Sequence, residues 1–229
     1  MNILHDGRRY EEGCFSAHAL DIVGDRWTLL IVRELMLGPL RFAEIKAGIS
    51  GIAANILLRR LEELERTGIL RQSTQPSPVA AQAYLLTAAG QALWPVIRSL
   101  CRWGATQAGH DPTLFVSPTS VMLSMGAVYG GKRLSLDAGF NLDGAMFTLR
   151  LEAGRPLLSR AKRLEGDLTF TGTPNGVGMA IYGPWPLAES VEQGRVIVTG
   201  DPGLAQAFVD GFDLQRADTE PAPFNLVPT

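Results

Sequence analysis

The 229-residue sequence has little cysteine, little histidine and no long apolar run. Its two cysteines, Cys14 and Cys101, stand 87 positions apart, which makes no disulfide framework. A reducing, cytoplasmic setting is the simplest reading. Cys14 and His18 have the i, i+4 spacing of a metal pair, but only His5 and His110 remain as further histidines, so no metal is expected. No apolar stretch approaches the length of a membrane span; the longest obvious one, Trp27 to Val32, is ended by Arg33. MNILHDGRRYEEGC lacks an apolar core followed by a small-residue cleavage site and is not a secretory signal. Catalytic signatures are missing too. There is no G-x-S-x-G, no Cys–His nucleophile pair and no paired carboxylates in a recognisable frame. GTPNGVGM (172–179) lacks the Lys-Ser/Thr of a phosphate loop and reads as a strand-to-helix turn. Neither an enzyme nor a cofactor is expected.

With 46% hydrophobic and 19% charged residues, the chain can bury real cores. The net charge of −2 conceals an asymmetry: residues 1–110 carry 12 Lys+Arg against 10 Asp+Glu, and residues 111–229 carry 9 against 13. Between Arg41 and Arg71 there are six basic and four acidic residues. Phosphate neutralisation is local, so such a stretch can serve DNA in a mildly acidic protein.

The texture changes near residue 110. Up to Gly104 it is helical, the segment GHDPTLFVSP (109–118) has a linker's composition, and short β-rich runs follow. Two domains are expected, 1–110 and 111–229. In the first, Cys14 to Val23 reads as a helix. Asp25 caps a second, Arg26 to Leu37, whose buried stripe is Trp27, Leu30, Ile31 and Leu35 and which Gly38-Pro39 stops. Arg41 to Ala47 is a short third helix. A fourth, Ile52 to Thr67, buries Leu57, Leu61 and Leu64 and ends at Gly68. Strands Ile69–Thr74 and Gln82–Leu86, joined through Pro76 and Pro78, make a wing. Thr87 then caps a helix from Ala88 to Trp103 that Pro95 kinks or breaks.

On the fourth helix Asn55, Arg59, Glu62 and Arg66 fall at i, i+4, i+7, i+11, opposite the leucines. Asn55 is suited to a base edge and Arg59 to a guanine or a phosphate. Arg41 and Lys46 are phosphate candidates, since contacts of that kind fix register. Ser50, Ala53, Arg60 and Arg71 complete the expected DNA-facing set, Arg60 at the flank being equally suited to pairing with a glutamate. Glu62 and Glu63 repel phosphate and restrict the contact to the helix's first half. The bland alternative is an ordinary solvated helix face. Cys14 is either a low-pKa sensor thiol, with Arg8 and Arg9 nearby in sequence, or a small buried hydrophobe. Cys101 is expected to pack.

The second half is expected to be an α+β domain. Its strands are Ser120–Tyr129, Arg133–Phe140, Ala145–Leu151, Asp167–Thr171 and Arg195–Thr199. Its helices are Pro174–Tyr182 and Pro202–Phe212, the latter capped by Asp201, and the tail from Glu220 is expected to fray.

The segments GDRWTLLIVREL (24–35), GPLRF (38–42), ISGI (49–52), LLRRLEELERTGIL (57–70) and YLLTAAGQAL (84–93) occur in the order and spacing of one family. Over about 100 residues the first half resembles the HxlR family of winged helix-turn-helix regulators. That resemblance implies a mainly-α winged helix-turn-helix fold binding double-stranded DNA at a two-fold operator. It also implies a homodimer built on the N-terminal and last helices, and a sensor cysteine at the place of Cys14. Here Phe15 follows that cysteine, where the family commonly has proline, and QSTQPSPVAAQ (72–82) holds no base beyond Arg71. In the second half EGDLTFTGTP (165–174) and LAESVEQGRVIVTGDPGLAQAFVDGF (187–212) resemble sterol-carrier-protein-type domains, α+β folds around an apolar tunnel. This implies either a site for a small hydrophobic effector or a second dimer surface. A different function stays open, a hydrophobic-ligand carrier in which the winged helix is only a dimerisation scaffold.

Overall fold

The computed structural model describes residues 10–75, 81–130, 133–183, 185–212, 214 and 225–226. The chain forms two compact units, Met1–Ile97 and Arg98–Thr229.

The first unit is built on helices α1 (Phe15–Val23), α2 (Thr28–Leu35), α3 (Phe42–Ala47) and α4 (Ala54–Arg66). Antiparallel strands β1 (Leu70–Gln75) and β2 (Ala81–Leu86) follow, then α5 (Ala88–Gln91) and α6 (Trp94–Ala105), whose first turn ends this unit and whose remainder belongs to the second. Ile31, Val32 and Leu35 of α2, Ile45 of α3 and Leu57, Leu61 and Leu64 of α4 are sealed from solvent. Truncating any one of these leucines to alanine costs about 2–5 kcal/mol. Trp27 and Leu30, expected in the α2 stripe, are only half-buried; Val32 takes their place, because α2 starts at Thr28. Asp25 does not cap α2 as expected: the N-cap is Trp27, without a side-chain cap, and Asp25 Oδ1 accepts the Trp27 N–H at 2.9 Å in the turn before the helix. α4 ends in a Schellman turn: Ile69 N–H donates to the Leu64 carbonyl and Gly68 N–H to that of Glu65. Gly68 supplies the required left-handed backbone, φ +75°. The helix expected over 88–103 is broken into α5 and α6, and Pro95 lies in the first turn of α6, where its missing N–H is harmless. Leu40 and Tyr84 exchange backbone hydrogen bonds of 3.0 and 2.8 Å, so β2 is also tied to the entry of α3.

In the second unit α7 (Pro118–Val128) leads into β3 (Leu136–Leu142), β4 (Ala145–Glu152) and β5 (Arg155–Arg160). β6 (Leu168–Gly172), α8 (Pro174–Tyr182), α9 (Leu187–Glu192), β7 (Val196–Thr199), α10 (Pro202–Val209) and β8 (Asn225–Leu226) complete it. The sheet order is β7-β6-β3-β4-β5-β8, with β3–β6 and β5–β8 parallel and the other neighbours antiparallel. The strand expected at 120–129 is helix α7. Ser117 caps it at the Ser120 N–H (3.0 Å), Pro118 sits in its first turn, and it is buried nearly all round, so no amphipathic period betrays it. β5, α9 and β8 are additional to the expected elements, β8 pairing with β5 inside the tail that was expected to fray, and α10 ends at Val209 rather than 212. Between sheet and helices Phe140 stacks on Phe170 at 5.1 Å, and Phe208 meets Phe170 at 5.5 Å and Phe212 at 5.0 Å. Asp201 caps α10 as expected, at the Leu204 N–H (2.7 Å). The wing turn 76–80 and the segment 220–224 lie outside the described residues. Among the described residues no helix is long and apolar enough to cross a membrane.

Candidate nucleic-acid interface

The turn between α3 and α4 is braced from below. Glu34 of α2 is almost wholly buried, and Arg33 clamps it, with Nη2 at 2.6 Å and Nε at 2.8 Å from Oε1. The same guanidinium donates to the Gly48 carbonyl at 3.1 Å. Gly48 is required there because a Cβ would stand 2.5 Å from the Glu34 carboxylate. A second brace comes from Arg60, which the sequence left between two roles. Its side chain is 11% exposed and ion-paired to Asp25 at 2.8 Å and to Glu63. Arg60 therefore ties α4 to the α1–α2 turn, and its guanidinium is withheld from any phosphate.

The cations and polar groups left in solvent lie elsewhere. Arg41, Lys46, Ser50, Ala53, Asn55, Arg59 and Arg71 are all exposed. Arg41 is the N-cap of α3; its backbone N–H donates to Glu44 at 2.7 Å, while its side chain projects into water. Ala53 is the N-cap of α4 and offers no side-chain acceptor, which leaves that helix start to outside partners such as phosphate oxygens. The acidic run is less repulsive than its sequence suggests. Glu63 is held by Arg60, and Glu65 accepts the Gln72 backbone and side-chain N–H groups at 3.2 and 3.0 Å. Glu62 is the one of the three that faces solvent fully.

The Cys14 thiol is exposed at the N-cap of α1, so burial as a small hydrophobe is ruled out. The N–H groups of Ala17 and Ser16 hold its pKa below the ordinary thiol value. Arg8 and Arg9 lie outside the described residues. Cys101 is half-buried in α6. Among the described residues no group of three or more His, Cys, Asp or Glu could hold a metal.

A three-helix scaffold presenting the outer face of a fourth helix beside a two-stranded wing is a DNA-reading arrangement. The profile of the HxlR-like helix-turn-helix family matches residues 22–112. The HTH-type transcriptional regulator YvaP of Bacillus subtilis is 36% identical over 85 residues, 37% of this chain and 79% of that protein. An HTH-type transcriptional regulator of Methanothermobacter thermautotrophicus is 33% identical over 98 residues, 43% of this chain and 75% of that one. The chain belongs to the HxlR-like helix-turn-helix family. The HTH-type transcriptional regulator YodB of B. subtilis is 38% identical over 85 residues, 37% of this chain and 76% of YodB. The structure of its reduced form covers 43% of this chain and all of that one, at TM-score 0.38 and 33% identity. This HxlR-like protein is a DNA-binding transcriptional regulator. The family match ends at residue 112 and does not reach the sheet of the second unit.

Proposed function

We infer that the regulator acts as a homodimer that reads a two-fold operator with the first half of α4. Asn55 and Arg59 point to base edges, and Arg41, Lys46 and Arg71, with the open start of α4 at Ser50 and Ala53, hold the phosphates. The observation that carries this reading is the sorting of charge on α4: Arg60 is locked into ion pairs while Arg59, one residue earlier, is left exposed. Dimerisation is supported by large apolar side chains standing in solvent on the two helices expected to form the contact. Phe15 (92% exposed) and Leu20 lie on α1; Val96, Leu100 and Trp103 (65% exposed) lie at i, i+4, i+7 along α6. Cys14 is the candidate trigger, a solvent-facing thiol whose pKa the neighbouring N–H groups hold below the ordinary value.

The sterol-carrier-type reading of the second unit rests on the order α9, β7, α10 with Asp201 as cap. Among the described residues its core holds a packed phenylalanine cluster, and an effector seated there displaces Phe208 or Phe212. That cost favours a dimerising or scaffolding role for this unit over a carrier function.

The test is a mobility-shift titration on the DNA upstream of the chain's own reading frame. Wild type shifts it, and Arg59→Ala loses about tenfold or more, the value of a good bidentate base contact. Absence of a shift at low salt, or equal binding by wild type and Arg59→Ala, overturns the reading.

A further inference from the structure

The exposed side of α4 is not uniformly polar. Leu58 is 47% exposed, although the helix already buries Leu57, Leu61 and Leu64. Ala54, one turn earlier at i−4, is exposed as well, so the two apolar side chains make a short strip along the helix. Asn55 and Arg59 immediately follow these two residues and run parallel to the strip, both in solvent. A single half-exposed leucine is ordinary on a protein surface; this one matters because it stands beside Asn55 and Arg59 on the helix read above as facing DNA. On a helix that enters the major groove, the partner of matching chemistry is the C5-methyl group of thymine, the one apolar feature that base edges present there.

We propose that Leu58, with Ala54 beside it, is a specificity-determining residue that reads a thymine methyl next to the base contacted by Asn55 or Arg59. This rests on α4 being the DNA-reading helix. The polar pair supplies orientation, and the leucine supplies discrimination of T·A from C·G at the adjoining step, because cytosine presents no methyl. The contact buries roughly one methyl group per half-site. Its loss weakens binding about fourfold per half-site, or about fifteenfold for a two-fold operator, on the usual scale for burying one carbon.

The experiment enriches duplexes from a random DNA pool with the full-length protein, then replaces each thymine of the selected site by uracil, which deletes the methyl alone. The expected result is one position per half-site where uracil costs wild type about fourfold and costs Leu58→Ala nothing. Leu58→Ala should keep the wild-type melting temperature and sedimentation mass. The proposal is overturned if the uracil penalty is the same in both proteins, if no selected position requires thymine, or if Leu58→Ala changes the sedimentation mass, which would make Leu58 an inter-copy contact. Failure to enrich any duplex overturns the DNA-reading role of α4 itself, an outcome distinct from the other three.

Discussion

Gly48→Ala is the sharpest test of how the reading helix is held. Gly48 has φ −77° and ψ −7°, so alanine fits the backbone and even gains a few tenths of a kcal/mol through a stiffer unfolded chain. Its Cβ, however, would lie 2.5 Å from Glu34 Oε2, 2.7 Å from Cδ and 3.0 Å from Cγ. The whole carboxylate must then move, and it has nowhere to go, being 3% exposed and clamped by Arg33. Overpacking costs about 1–3 kcal/mol, and disturbing a buried hydrogen-bonded charge adds about 1–3 kcal/mol. The net expectation is a loss of about 2–5 kcal/mol, roughly 10–30 °C in the melting of a unit this size. Calorimetry on the full chain reads it. Two companions isolate the cause: in a Glu34→Ala background the glycine substitution should cost under about 0.5 kcal/mol, whereas Glu34→Gln, which keeps the bulk, should leave the penalty standing. A Gly48→Ala melting temperature within about 3 °C of wild type would refute the brace, as would an undiminished penalty in the Glu34→Ala background.

Other expectations follow from the same geometry. With Arg41, Lys46 and Arg71 on phosphates in both copies, the slope of log affinity against log salt should be about −5, and Lys46→Ala should make it shallower by about 2, measured by fluorescence anisotropy across salt concentrations. Because the helix N–H groups lower the Cys14 pKa, its alkylation by iodoacetamide should reach half-maximal rate at a lower pH than that of free N-acetylcysteine, followed by peptide mass spectrometry. Equal midpoints would remove the basis for a sensor role. Asp137 is held below its ordinary pKa chiefly by hydrogen bonds from Arg150 at 2.7 and 2.8 Å. A depressed carboxylate stabilises the fold above the unfolded value near 4 and loses that contribution as pH falls through the folded value. Arg150→Ala should therefore flatten the acid limb of a pH–stability curve, by under about 1 kcal/mol given the pair's exposure.

The reading helix was legible because its leucines keep a strict helical period and Gly68 marks its end. The same rule failed at α7, where burial on every side erases the period. Ser117-Pro118 was the remaining signal, a cap followed by a first-turn proline. β5 was missed because it is short and begins Arg155-Pro156; the Ala153-Gly154 pair before it, both at positive φ, was the available hairpin mark. At the site, exposure of Asn55 and Arg59 followed from periodicity alone. The fate of Arg60 did not, since its partner Asp25 comes from a turn 35 positions away and only folding brings them together.

The pair of backbone hydrogen bonds joining Leu40 to Tyr84 has a consequence for how the regulator tolerates imperfect sites. It stitches the wing's return strand to the entry of α3, which with α4 makes the helix-turn-helix. Among the described residues, the helix-turn-helix and the wing's return strand are thus fastened at a second point besides the chain itself. On the proposed reading of DNA by this frame, a half-site of unsuited shape is met by bending the DNA, and the deformability of bases that no side chain touches enters what is recognised.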